Sequence, residues 1–181
     1  MNRRKTLQVC AGLGAIGFTP LMAAGQPNTA SDALSDFAKR WAVAIDYTLK
    51  VFEAMPEEHL GYKPTPEVMS FGKHFTHIGW GNALYTKGLT GQDIPKEPEE
   101  LTKANIQAYF TQTTKDFTTA MNAQTPETLF SMDHHFKAQD YWKDHSHLDM
   151  LWRGYMHTTH HRAQAIVYLR LKGVEPPGFL F

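Results

Sequence analysis

Between Trp152 and Leu171 the chain runs without a proline through residues that suit a helix. Wound as a helix, it places Met150, Gly154, His157, His161, Ala165 and Tyr168 on one face. That is a core-type stripe with two imidazoles at its centre. Such a helix needs other elements packed over it, and the imidazoles need partners, because an unpaired polar group is costly to bury. A metal ion would relieve that cost. His157 and His161 stand at i and i+4 and offer two nitrogens on one side, so a third ligand would complete a tridentate site with open positions. The pair alone is a weak signal, since histidines that only fill a core can share its spacing.

The rest of the chain supplies helices to pack against it. Ser31 is a cap for a helix reaching about Met55, with Leu34, Phe37, Ala38, Trp41, Ile45, Thr48, Val51 and Phe52 at three-four spacing. Pro56 stops it, and residues 56–69 read as a loop. Ser70 caps a second helix over about 71–88, carrying His74 and His77, with Gly88 and Gly91 at its end. Thr102 begins a third, to about Met121, with Ile106, Tyr109, Phe110, Thr113, Phe117 and Met121 inward. Residues 122–142 read as an irregular packed segment. Asp144 or Ser146 opens the last helix, which ends at Lys172, with Gly173 as a left-handed cap and Pro176-Pro177 beyond. Four helices and no strand pattern predict an all-α four-helix bundle with a site built in its core.

The 181 residues, 42% of them apolar, suffice for one domain with a real core. A formal net charge of +0 argues against nucleic acid as a partner. Residues 1–25 read as an export signal: Arg3, Arg4 and Lys5 precede an apolar run from Leu7 to Ala24, and Ala23 and Gly25 suit cleavage after Gly25. The expected location is periplasmic, by the general or the twin-arginine route, with a membrane attachment only if the segment stays uncleaved. The single cysteine, Cys10, falls in that segment, so the domain at 26–181 is expected to lack a thiol nucleophile.

His77 is the candidate third ligand, mid-helix among apolar neighbours. His74, one turn earlier, is placed to support the ligands from behind. His160 points about 100° away from His161 on a helix and should not share its ion. His59, His134, His135, His145 and His147 read as solvated loop or cap residues, with a second, adventitious metal site among 134–147 the alternative. The chain has no HExxH and no ExxH pair, which argues against a zinc protease and a di-iron carboxylate bundle. No CxxCH, nucleophile elbow, P-loop or dinucleotide fingerprint occurs. A haem held by two histidines stays open.

The run His157, Thr158, Thr159, His160, His161, Arg162, Ala163, Gln164, continuing through Tyr168, Leu169, Arg170 and Gly173 to Pro176-Pro177, resembles the C-terminal signature of the DinB/YfiT-like superfamily. The block from Met55 to Pro66, followed by Ser70 and His77, is similar to the family's second block. Ala163 departs from a usual glycine. The resemblance implies a four-helix bundle that binds one divalent ion, zinc or nickel first and manganese or iron next, through His77, His157 and His161. It implies homodimers through bundle faces. It also implies either thiol-dependent transfer or hydrolysis on a small molecule, with a non-catalytic metal- or ligand-binding bundle as the alternative. Gln164 is near enough to orient a substrate or a coordinated water, Arg162 to bind an anion or pair with a carboxylate, and Trp80 and Tyr168 to wall the pocket. No carboxylate stands at a fixed spacing from the ligands, so no general base is assigned.

Overall fold

A computed structural model describes residues 29–180, and the export signal expected at 1–25 lies outside them. Among the described residues there are four long helices, one short helix, a 3-10 turn and no strand. Helix α1 spans Ala30–Ala54, α2 Phe71–Thr90, α3 Lys103–Asn122, the short α4 Pro126–Leu129 and α5 His147–Leu171. None is long and apolar enough to cross a membrane.

Most ends follow the chemistry of their caps. Ser70, Thr102 and Ser146 each accept a hydrogen bond from the backbone N–H three residues on. For α1 the cap is Thr29 rather than Ser31, because Thr29 and Asp32 form a reciprocal capping box that Ser31 lacks a partner for. Helix α2 runs past Gly88 to Thr90 and ends at Gly91, whose φ of 80° is the left-handed turn glycine tolerates. Gly88 does not end the helix. It lets Met150 and Phe136 approach, and a Cβ there would stand 2.8 Å from the Met150 sulfur. At the end of α5, Val174 N–H bonds Leu169 C=O at 2.9 Å and Gly173 N–H bonds Arg170 C=O at 3.0 Å, the paired bonds of a Schellman cap.

Helix α2 is the centre of the bundle. It packs against α3 on one side and α5 on the other, while α1 closes chiefly on α5. It is buried nearly all round, as a central helix must be. The apolar core falls into two clusters. Phe71, Phe75 and Ile78 of α2 meet Ala165, Tyr168 and Leu169 of α5 in one, with Val51, Phe52, Ile106 and Phe110. Tyr85 and Leu89 of α2 meet Met150 and Leu151 of α5 in the other, with Phe37, Trp41 and Phe117.

Between the two clusters runs a belt of buried polar side chains. Asn82 Nδ2 donates to Thr114 Oγ1 at 3.1 Å, and Thr158 Oγ1 donates to Asn82 Oδ1 at 3.5 Å. On the α1 side, Arg162 Nη1 donates to Ala44 C=O at 2.9 Å and to Thr48 Oγ1 at 3.2 Å, and its guanidinium lies 4.7 Å over the Tyr47 ring. Among the described residues Arg162 therefore meets no carboxylate, and it turns away from the histidines. On the opposite side of the belt stand His74, His77, His157 and His161.

The segment before α5 is more ordered than an irregular reading implies. Thr125 caps α4, and Phe136 and Trp142 pack at 5.5 Å between ring centres. His134 and His147 are buried, not solvated. His134 Nε2 bonds Trp142 C=O at 2.9 Å and its Nδ1 accepts from Phe136 N–H at 3.1 Å. His147 Nδ1 bonds Gln124 Oε1 at 2.8 Å and its Nε2 bonds Asp133 C=O at 3.3 Å. Each ring ties two stretches of the chain together, a role that spacing in the sequence does not reveal.

Candidate metal centre

His77 comes from the middle of α2, and His157 and His161 from consecutive turns of α5, where the two helices pack. One ring nitrogen of each lies within 4.8 Å of the others. Ring centres stand 4.9 Å apart for His77 and His157, 4.7 Å for His77 and His161, and 4.6 Å for His157 and His161. Zinc–imidazole bonds are about 2.0–2.1 Å, so nitrogens that close to one another need only small ring rotations to share an ion. Among the described residues no second cluster of this kind forms, at 134–147 or elsewhere.

The helices meet closely here because of Gly81, one turn after His77. A Cβ on Gly81 would fall 2.4 Å from His157 Nδ1. The missing side chain is thus the space in which the His157 imidazole lies. That nitrogen is sealed from solvent and has no hydrogen-bond partner among the described residues. An unsatisfied buried polar atom costs about 1–3 kcal/mol, a cost that an ion bound through Nδ1 would offset.

His74 stands behind the cluster. Its Nδ1 is 3.0 Å from Nδ1 of His161. If His161 offers Nε2 to an ion, its Nδ1 carries the proton and donates, and His74 Nδ1 accepts. The proton of His74 is then on Nε2, which is sealed without a polar partner. Tyr168 packs edge-on against the His74 ring at 5.2 Å, and its hydroxyl donates to Met69 C=O at 3.1 Å. Tyr168 thus walls His74 rather than the three clustered rings. Trp80 stacks on His77 at 5.3 Å, with planes 9° apart.

Burial disfavours charge on all four rings. It draws His161 down to about 3 and His157 and His74 to about 4, with neighbouring imidazoles adding to the effect. His77 is lowered by burial too, and Glu97 opposes that shift. At neutral pH the rings are therefore uncharged, with lone pairs available to a cation. Three neutral imidazoles suit zinc or nickel better than the hard cations that prefer oxygen. The fit to a divalent ion is good on both distance and donor chemistry.

Gln164 is exposed, and His160 points outward as its angle on the helix requires. Glu97 is the carboxylate that His77 senses, and the sequence does not flag it. It sits in the acidic stretch after α2, and Lys73 Nζ donates to its Oε2. Tyr109 anchors that stretch, its hydroxyl donating to Pro95 C=O at 3.3 Å. Only the fold brings the loop back over α2.

Residues 26–181 match the profile of the DinB family. Solved structures are similar in fold. A DinB-like protein of Bacillus cereus superposes with a TM-score of 0.68 at 19% identity, covering 81% of this chain and 97% of its own. A DinB-like protein of Bacillus subtilis gives 0.64 at 17% identity, covering 80% and 96%. No curated protein matches the chain.

Proposed function

Since the chain belongs to the DinB family, we propose that it holds one divalent ion, zinc or nickel, on His77, His157 and His161 and acts on a small molecule there. The observation that carries this is the convergence of three uncharged imidazoles, one with a sealed, unpartnered nitrogen. Such an ion supplies a Lewis acid that lowers the pKa of a coordinated water or thiol and polarises a carbonyl. The chain's own part is to hold the rings neutral, to fix His161 through His74, and to keep the site between two dry clusters. Hydrolysis is the reading that fits an exported protein, since thiol cofactors are mainly cytoplasmic. Export itself, to the periplasm through residues 1–25, belongs to this proposal. Thiol transfer is the second activity to assay.

A binding role without turnover is favoured by one observation: the carboxylate near His77 is engaged by Lys73 rather than free to act as a base. Pairing of two copies belongs to the same reading, and the exposed Met156, Val167 and Leu171 on the outer side of α5 are the surface it would cover.

Elemental analysis of untagged protein tests the ion. About one equivalent of zinc or nickel is expected, lost in His157→Ala and His161→Ala. Equal metal in all variants would sink the assignment. Ester cleavage or thiol conjugation that rises and falls with metal content separates an enzyme from a binder.

A further inference from the structure

On the far side of the polar belt from the histidines, α1, α5 and the C-terminal tail enclose a cavity of about 240 Å³. Arg40 and Ala44 of α1, Thr159 and Arg162 of α5, and Phe179 and Leu180 of the tail line it. Ala44 leaves the room, and Phe179 packs edge-on against Tyr47, the ring that carries Arg162.

Arg162 is only 6% exposed. A guanidinium keeps its charge in a protein, so this is a buried cation. Among the described residues every ion pair uses some other cation, and neither Arg162 nor Arg40 has a carboxylate partner. The Ala44 carbonyl, Thr48 and Tyr47 engage one end and one face of the group. Those bonds spend Nη1 alone. Nε and Nη2 make no hydrogen bond to the described residues, yet they are not sealed as His157 Nδ1 is. The unspent edge of the fork is the one that takes two oxygens of a carboxylate or phosphate side by side. Arg40, lining the same cavity from α1, is a second positive charge for the same guest.

We propose that this cavity is a binding site for a small oxyanion, a carboxylate or a phosphate, held bidentately by Nε and Nη2 of Arg162 with Arg40 as the second cation. The site lies apart from the histidine cluster, on the opposite flank of α5. It accounts for a buried charge that the described residues leave without a counter-ion.

The test is a titration of the full-length, ¹⁵N-labelled chain with inorganic phosphate and, separately, succinate, against sodium chloride at equal ionic strength. The expected result is a saturable displacement of the Arg162 Nε–H signal by at least one of the two. A preference for phosphate or for succinate tells which source of the oxyanion the site takes. Arg40→Gln, at an exposed position, should weaken binding about tenfold, and Arg162→Lys should abolish it. If Arg162→Lys fails to fold, the Arg162 signal and Arg40→Gln still decide. An Arg162 signal unmoved by both anions would overturn the proposal. So would a response unchanged in Arg40→Gln but lost in His157→Ala, which would place the anion at the histidines.

Discussion

Two groups of histidines in this molecule carry buried rings and behave in opposite ways. His134 and His147, in and after the segment between α3 and α5, have both ring nitrogens within hydrogen-bonding distance of polar atoms of the protein. His157 and His74, between α2 and α5, each keep a sealed nitrogen without a partner. The first pair finds its polar contacts within the protein. The second pair stands in a cluster of like groups whose one mutual bond, between His74 Nδ1 and His161 Nδ1, leaves the two sealed nitrogens out. Burial therefore does not mark a functional histidine. An unfinished set of partners does.

The comparison breaks most simply by deleting a ring from each group. His161→Ala should abolish measurable metal binding, and calorimetry with zinc is the check. His147→Ala should leave one equivalent bound, while costing about 2–4 kcal/mol of stability through the lost contacts to Gln124 and Asp133 and the void it leaves. Zinc binding lost in His147→Ala, with the fold intact, would show that the two groups are not separate.

Gly81→Ala sharpens the boundary without replacing any histidine. The new methyl would stand 2.4 Å from His157 Nδ1, and the backbone of α2 cannot yield, so the imidazole must. Displacing a ligand by that much should weaken metal binding on the order of 100-fold, and the helical propensity gained is worth only about 1 kcal/mol in stability. Gly61→Ala, where nothing lies within 4 Å, is the matched control and should change neither quantity. Intact affinity in Gly81→Ala would mean that His157 is not held where the packing places it.

His74→Phe tests the ring behind the ligands. It keeps the volume against Tyr168 and removes the bond to His161. Loss of a group that orients a metal-bound histidine costs roughly 10–100-fold in affinity, and that is the expected outcome of a zinc competition titration. His74→Asn offers an acceptor again and should recover part of the loss. Equal affinities in all three proteins would reduce His74 to packing.

The helices were legible in the sequence because their signals are local: caps at Ser70, Thr102 and Ser146, a proline after α1, and apolar spacing within each helix. The pair His157 and His161 was legible for the same reason, since i and i+4 share a face. The partner from α2 needed knowledge of which helices touch, and spacing alone could only nominate His77. The buried places of His134 and His147 were illegible. Their partners, Trp142, Gln124 and Asp133, belong to a segment with no periodic signal, and its fold is set by those same bonds. Arg162 shows the limit from another side. Its neighbour is a ligand candidate, yet one step along a helix turns it about 100° into α1.

Acid should expose the same division in the metal-free protein. Unfolded, His74, His157 and His161 return to about 6.5, whereas folded they lie at about 4, 4 and 3 because burial disfavours their charge. Between those limits the unfolded chain binds more protons, so stability rises with pH. It should be full above about pH 6.5 and fall as the pH drops towards 4 and below. A variant with His74, His157 and His161 all changed to Gln should lose much of that slope between pH 7.5 and 5, as read by denaturant midpoints. An unchanged slope would assign the acid sensitivity elsewhere.

The smallest effect is expected at His160. Its ring lies 5.0 Å from that of His161, and it adds to the positive surroundings that disfavour charge on His157 and His161. Contact distance alone would make it a fourth ligand. Its side chain is exposed, however, and one residue of helix separates its direction from that of His161. His160→Ala should therefore change zinc affinity by no more than about twofold at pH 7.5, well under 1 kcal/mol. A tenfold loss would mean that the exposed ring reaches the ion after all, and that satisfaction by the protein is not what separates the two groups of histidines.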